Sequence, residues 1–247
     1  MRVANKLRVW AKPALKALLT ATIVKLPAPV LAEGTMRFKL LQIDTLFPVP
    51  LCSFELPDAA TVNAALEQEI AGRRVSEAGL KVSNRGGWHS ARDLFLRTEP
   101  AQHALGKALR ETADEATRQL VPAAALADLN AHCDGWINAS RDGDYHSPHD
   151  HPGAFWSGVY YVRTSDSGGD IEFQSGRAGN PHADQLPAPM SWDWTRIVPR
   201  AGLVLLFPGH LRHAVLPFKA DGERISISFN VSYRAKTAAL SAGQGRA

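Results

Sequence analysis

The half of the chain that follows residue 132 is built from short β-forming segments, and this pattern limits the fold more narrowly than any other feature. The segments are rich in β-branched and aromatic residues, and Gly, Pro and Asp separate them. They are Asp134–Ala139, Phe155–Arg163, Ile171–Gln174, Ala201–Phe207 and Arg224–Tyr233. Short strands with turn residues between them predict a β-sandwich or barrel.

The part of the chain before these strands shows helical periodicity. Asp58 predicts the N-cap of a helix of about twenty residues with a regular apolar stripe. Thr98 predicts a second N-cap, with Pro100 in the first helical turn, and the Ala-rich residues 123–129 add a further turn or two. Helices followed by strands predict an α+β domain in which the helices pack against the β core.

The two ends of the chain differ from its middle. Residues 1–35 are interpreted as a basic leader or a wrongly assigned start, with Met36 opening a domain over residues 36–235. A signal peptide over residues 1–32 is the competing interpretation, because a basic start is followed by a short apolar stretch. Residues 236–247 are expected to be a disordered tail.

Charge and composition exclude several classes of protein. The segment 1–35 carries six basic residues and one acidic residue, which accounts for the net charge of +4. The remainder is near neutral, so nucleic acid is not an expected partner. No apolar run approaches the roughly 18–20 residues that span a bilayer. Cys52 and Cys133 are too few for a disulfide framework, which favours a cytoplasmic location, whereas a signal peptide would indicate export.

Five of the nine histidines fall in two short clusters. His149 and His151 stand at i and i+2, which places two side chains on the same face of an extended strand. His213, far along the chain, is expected to complete a three-point metal face with its opposite side open. The remaining two, His146 and His210, are expected at the entrance of the site or in loops.

The last predicted strand places Arg224 and Ser226 on one face, with apolar residues on the other. A hairpin through residues 219–222 is predicted to bring this strand beside His213. The guanidinium then offers a planar fork for a carboxylate, and the serine adds a hydroxyl donor. This arrangement indicates a redox metal that works with an anionic co-substrate.

These motifs resemble those of the Fe(II)/2-oxoglutarate-dependent oxygenases, and in particular a bacterial branch of that superfamily. The resemblance covers about residues 36–234, with six motifs in matching order. They are Asn84–Trp88, Trp136–Asn138, His149–Pro152, Ser157–Tyr161, Phe207–His213 and Arg224–Asn230. The resemblance implies a double-stranded β-helix core, of the jelly-roll or cupin type, with N-terminal helices packed against it.

The resemblance also implies an activity and its site residues. It implies a dioxygenase that hydroxylates an unknown substrate and releases succinate and CO₂, with Fe(II) as metal and 2-oxoglutarate as co-substrate. The implied metal ligands are His149, His151 and His213. The implied co-substrate contacts are Arg224, Ser226, Asn138 and one or both of Tyr160 and Tyr161. No further catalytic residue is assigned beyond the metal centre.

The chain departs from the superfamily pattern at one ligand. His151 stands where the pattern has Asp or Glu, so three neutral imidazoles would leave the charge of a divalent metal undiminished. Asp150 is the less favoured ligand, because neighbouring residues on a strand point to opposite sides, although a kink at Pro148 or Pro152 would re-aim it. Residues 175–195 lack periodicity and are interpreted as a lid over the site.

Two alternatives remain open at this point. A zinc hydrolase is one, because His146, His149, Asp150 and His151 come close to the H-x-H-x-D-H pattern of metallo-β-lactamase-like enzymes. Pro148 stands where that pattern needs a histidine, and the strand-rich half lacks the alternating helices of that fold. The other is a metal-binding β domain without catalysis. The expected partner is a small-molecule or peptide substrate of unknown identity, no membrane contact is expected, and a homodimer is left open.

Overall fold

The computed structural model describes residue 42 and residues 48–165, 167–176 and 193–236. The predicted leader over 1–35, the start at Met36, the tail beyond residue 236 and most of the predicted 175–195 lid lie outside these residues. The predicted domain boundaries therefore stay predictions. The chain divides into two compact units, residues 1–49 and residues 50–247, and the description below concerns the second.

The helices lie where periodicity predicts them, with corrections at their first residues. They are α1, Ala59–Ser76; α2, Pro100–Leu120; and α3, Ala123–Leu126, with a 3₁₀ turn at Leu94–Leu96. Asp58 is the residue before α1, as predicted, but its backbone is left-handed at φ 52° and its side chain makes no capping hydrogen bond. The prediction that Thr98 caps α2 is wrong, because Glu99 takes that position and Pro100 begins the helix.

The described residues also form eleven strands. They are β1, Cys52–Glu55; β2, Asn84–Arg85; β3, Trp88–His89; β4, Leu129–Ser140; β5, Tyr145–His149; β6, Trp156–Arg163; β7, Ile171–Gln174; β8, Trp194–Ile197; β9, Leu203–Pro208; β10, His213–Val215; and β11, Arg224–Ala235. The five strands predicted from sequence are confirmed as β4, β6, β7, β9 and β11, with ends that shift by up to five residues.

The strands form two antiparallel sheets. The six-stranded sheet has the order β1-β9-β6-β11-β4-β3, and the five-stranded sheet has the order β2-β5-β10-β7-β8. Side chains of β6 and β9 pack against side chains of β7 between the sheets, in a cluster that includes Tyr161, Phe173 and Phe207. The two facing sheets form the double-stranded β-helix that the resemblance implies, and the fold class is α+β.

The predicted hairpin between β10 and β11 is wrong. β10 is bonded to β5 on one side and to β7 on the other, so neither of its edges is free. Both edges of β11 are occupied by β4 and β6. His213 and Arg224 therefore lie in different sheets and approach each other across the interior.

A second apolar cluster lies on the outer face of the six-stranded sheet. Helix residues Leu66, Ile70 and Leu109 are at most 1% exposed and pack with Ile227 and Phe229 of β11. Burial of an aliphatic or aromatic side chain contributes roughly 1.5–3 kcal/mol, so this layer stabilises the sheet that carries Arg224. None of the helices in the described part of the chain is long and apolar enough to cross a membrane.

Two glycines allow the packing of this layer to be tested. A Cβ at Gly158, on β6, would lie 2.5 Å from the Phe229 ring, whereas a Cβ at Gly72, on α1, would meet nothing within 4 Å. We expect Gly158→Ala to lower the free energy of unfolding by about 1–3 kcal/mol through overpacking. Gly72→Ala should raise it by roughly 0.5–1 kcal/mol, because Ala has the better helix propensity. Denaturant unfolding measures both, and equal effects of the two changes would contradict the packing described.

Candidate metal centre

Three histidines from two distant parts of the chain meet between the sheets. One ligand nitrogen from each of His149, His151 and His213 lies within 4.8 Å of the other two. Their ring centroids are separated by 4.4 Å between His149 and His213 and by 5.1–5.2 Å for the other pairs. A single ion can contact all three after small ring rotations, as the clustering of the histidines in the sequence predicts.

Strand register positions two of these residues. His213 on β10 is the direct cross-strand partner of His149 on β5, so their side chains leave the sheet side by side. His151 is not on the strand as predicted, because β5 ends at His149. It lies in the following turn, where its N–H donates to the Gly209 carbonyl at 2.8 Å. A side chain at Gly209 would collide with the Ala154 carbonyl at 2.4 Å, which makes this close approach dependent on glycine.

Backbone carbonyls select the tautomer of two of the imidazoles. The Nδ1–H of His149 donates to the Ser147 carbonyl at 2.8 Å, and the Nδ1–H of His213 donates to the Leu211 carbonyl at 2.8 Å. Since a carbonyl only accepts, each ring carries its proton on Nδ1 and keeps the Nε2 lone pair for another partner. This is the usual orientation of a metal-binding histidine.

Burial keeps the three rings neutral. It lowers the pKa of His151 to about 3 and that of His213 to about 4, and it lowers the pKa of His149 as well. Among the described residues, no carboxylate joins the three imidazoles. Asp150 is exposed, in agreement with the prediction that it points away. The site therefore offers three uncharged nitrogen donors.

Arg224 faces these histidines across a small cavity of about 40 Å³ that all four residues line. The guanidinium is 2% exposed and donates to the Ser226 hydroxyl at 3.3 Å, while its Nε has no partner. Among the described residues, no carboxylate forms an ion pair with it. Burial lowers the pKa of Arg224, and the charge of Asp170 offsets this only in part, so the position is suited to an incoming anion.

The two adjacent tyrosines point in opposite directions. Tyr161 lines the cavity, its ring lies 5.2 Å from the Arg224 guanidinium, and its buried hydroxyl has no hydrogen-bond partner. Burial raises the pKa of Tyr161 to about 12, so the hydroxyl stays a donor. The prediction for Tyr160 is wrong, because its hydroxyl donates to Asn63 of α1 at 2.6 Å. Strand alternation sends Tyr160 to the helix-covered face.

Asn138 lines the same cavity from β4, as predicted. Its Nδ2 donates to the Ser228 hydroxyl at 3.1 Å, and its buried Oδ1 has no partner. The cavity thus has one unused acceptor, Asn138 Oδ1, opposite two unused donors, the Arg224 Nε and the Tyr161 hydroxyl.

His146 also lies inside this cavity. It is 7% exposed, its Nδ1 is 3.2 Å from the Ser83 hydroxyl, and burial lowers its pKa to about 3. A β-bulge causes this position, because the four residues of β5 from His146 to His149 face the three residues of β10 from His213 to Val215. The bulge contains Pro148, a residue that sheets accept at such irregularities. His210 is exposed, as expected.

Two residues near the site were missed from the sequence. His89 and Arg92 follow the Asn84–Trp88 motif, and both lie near Trp136 beside the histidines. The position of His89 directly after a recognised motif was the one available signal. The sequence around Arg92 has no helical or strand periodicity that would predict its position near the site.

Comparison with known proteins agrees with this geometry. Residues 134–230 match the family model described as "Putative 2OG-Fe(II) oxygenase", a segment that contains the three histidines and Arg224. No match was found among curated protein sequences.

Solved structures share the fold. A prolyl-4-hydroxylase from Pseudomonas putida has a TM-score of 0.55 at 18% identity, over 75% of this chain and 93% of its own. The carbocyclase SnoK of nogalamycin biosynthesis has a TM-score of 0.53 at 14% identity, over 78% and 84%. A prolyl hydroxylase from Trichoplax adhaerens has a TM-score of 0.52 at 15% identity, over 74% and 83%.

These likenesses support the double-stranded β-helix fold. The zinc-hydrolase alternative needs alternating strands and helices, which the described strand-rich half of the chain does not have. The matched family, the fold and the histidine cluster agree with one another. Over residues 134–230 the chain is similar to the 2OG-Fe(II) oxygenases, and the solved structures named above share its fold.

Proposed function

We propose that this protein is a 2-oxoglutarate-dependent dioxygenase that hydroxylates a small-molecule or peptide substrate and releases succinate and CO₂. The observation that carries the proposal is the buried Arg224, which lines one cavity with three neutral imidazoles and has no carboxylate ion pair among the described residues. A cation and a metal-binding face at opposite sides of one cavity match the two ends of a keto diacid.

The proposed metal ligands are His149, His151 and His213. Bound Fe(II) would supply the redox chemistry that couples 2-oxoglutarate decarboxylation to attack on a substrate C–H bond. The chain contributes three oriented, neutral donors, two of them fixed by backbone carbonyls. His213 and Arg224 are buried between the sheets, and exclusion of water from such a site would limit side reactions.

Arg224, Ser226 and Tyr161 are the proposed contacts of the distal carboxylate. The Arg224 Nε and the Tyr161 hydroxyl are donors without partners, and Ser226 already shares its hydroxyl with the guanidinium. A carboxylate placed there would neutralise the buried charge and satisfy both donors. We also propose that Asn138 contacts the co-substrate, because it lines the cavity.

We also propose a cytoplasmic location. Cys52 and Cys133 are unpaired thiols, and burial raises the pKa of both, which keeps them in the less reactive thiol form. Reduced cysteines are the usual state in the cytoplasm. The signal-peptide alternative for residues 1–32 would predict cleavage, which mass measurement of the native N-terminus detects.

Removal of the buried cation tests the proposal. We expect Arg224→Gln to weaken 2-oxoglutarate binding by about 2–5 kcal/mol, roughly a thirtyfold to several-thousandfold rise in Kd. The measurement is an anaerobic titration of the Fe(II) protein, followed by the visible charge-transfer band of the chelate. Arg234→Gln removes the same charge from an exposed position at the end of β11 and should leave the titration unchanged. An unchanged Kd in Arg224→Gln, in protein that is folded by circular dichroism, would overturn the role of Arg224.

The two tyrosines provide a matched pair. Tyr161→Phe removes a hydrogen bond to a carboxylate and should weaken 2-oxoglutarate binding by about 1.5–3 kcal/mol. Tyr160→Phe should leave that affinity unchanged and instead lower the free energy of unfolding by roughly 1–3 kcal/mol, because Asn63 loses its buried partner. Calorimetric titration and thermal unfolding of both variants separate the effects. Equal losses of affinity would show that the tyrosines are assigned to the wrong faces.

A further inference from the structure

A second, larger cavity of about 340 Å³ lies beside the metal centre. It shares Ser83, Trp136, His149 and His151 with the first cavity, and neither Arg224 nor Tyr161 lines it. A molecule bound there would lie against two of the proposed ligands without entering the co-substrate position. Its volume is in the range of small-molecule sites.

Arg92 lines this second cavity and stacks on Trp136. Its guanidinium carbon lies 4.7 Å from the Trp136 ring centroid, and the His89 ring stacks on Trp136 at 5.7 Å with an interplanar angle of 12°. Stacking on a flat indole holds a guanidinium in a defined place while its N–H groups stay free. The exposed Arg92 forms no ion pair with any acidic residue in the described ranges.

Arg92 lies close to the proposed metal centre. The Trp136 ring that it covers has its centroid 5.7 Å from that of the His151 ring. The nearby Asp134 forms no ion pair with it. Burial raises the pKa of Asp134, which the charge of Arg92 only partly offsets, and Asn230 donates to this carboxylate at 3.2 Å. A fixed cation thus stands beside the histidines on the side of the larger cavity.

The charges that line this cavity favour an anion. They are Arg85, Arg92 and the exposed Asp150, and the imidazoles add no negative charge. Arg85 donates to the backbone carbonyls of Val82 and Asn84, so Arg92 is the less engaged of the two cations. The guanidinium of Arg92 can pair with one carboxylate, and the nearby Asp150 would repel a second negative charge. The cavity therefore suits a singly charged carboxylate better than a doubly charged phosphate.

We propose that the substrate is a small molecule bearing a carboxylate, which Arg92 receives over the Trp136 ring. This inference rests on the proposed function and names the substrate class of the same site. Arg92 is the specificity residue, and Trp136 holds it in position. The carboxylate anchors one end of the molecule, and the C–H bond to be oxidised lies towards His149 and His151.

The experiment uses protein loaded with Zn²⁺ and saturated with 2-oxoglutarate, so that turnover plays no part. A set of fragments is prepared in matched forms, each as carboxylate, carboxamide and phosphate monoester, and binding is measured by ligand-observed NMR. We expect the carboxylates to bind about tenfold tighter than their carboxamides, and tighter than the phosphates. Arg92→Gln should abolish this preference, Arg92→Lys should keep part of it, and Arg234→Gln should keep all of it.

Each other outcome counts against the proposal. If no carboxylate binds, or if carboxylates and carboxamides bind equally, the cavity does not select anions. A preference that survives in Arg92→Gln would assign the selection to other groups, and a preference for phosphates would overturn the carboxylate class. The proposed function fails separately, because the chelate band of the wild-type Fe(II) protein with 2-oxoglutarate reports on it without any fragment present.

Discussion

Arg224 is a fully buried cation at the start of β11 and has no ion pair with a carboxylate in the described part of the chain. The neighbouring Gly169 and Tyr161 pack against its side chain but carry no negative charge. Gly169 passes so close that a Cβ there would lie 2.8 Å from the Arg224 side chain, and Tyr161 presents the face of its ring. Because the burial of such a charge is costly, an anion bound in this cavity would stabilise Arg224. The histidines and Tyr161, whose hydroxyl has no hydrogen-bond partner, line the same cavity.

The proposed metal centre departs through His151 from the pattern of the oxygenases that the chain resembles. With three imidazoles and no carboxylate, the donors leave the full charge of a divalent ion in place. The positive charge of a bound ion would therefore lie between the positive charges of Arg224 and Arg92. Electrostatics of this kind favour anionic ligands on both sides of the centre, the co-substrate towards Arg224 and the proposed carboxylate substrate towards Arg92. The same shortage of negative charge therefore links the unusual ligand set to the inferred substrate class.

The sequence predicted the parts of the site that depend on local spacing. Strand segments, the two helices and the pairing of polar and apolar faces on β11 follow from periodicities of 2 and 3.6 residues. The histidine set and Arg224 were accessible because they stand in short, recognisable motifs. Tyr161 was separable from Tyr160 only once the register of β6 was known, since Pro152 and Gly153 interrupt the count.

Other parts depend on long-range geometry that spacing does not contain. The bulge at Pro148 places His146 and His149 on one face although they are three residues apart, which simple alternation forbids. The predicted hairpin failed because β10, although short, is paired on both sides by strands from other parts of the chain. Arg92 reaches Trp136 from a loop more than forty residues earlier, and no local pattern announces that contact.

The central claim is that three imidazoles hold one ion opposite the guanidinium that binds the co-substrate. Anomalous diffraction from crystals grown anaerobically with Fe(II) and 2-oxoglutarate tests it most directly. The account predicts one iron peak about 2.0–2.3 Å from a nitrogen of each of His149, His151 and His213, with the distal carboxylate of 2-oxoglutarate on Arg224. Iron held elsewhere, or a co-substrate that leaves Arg224 without a carboxylate, would contradict it.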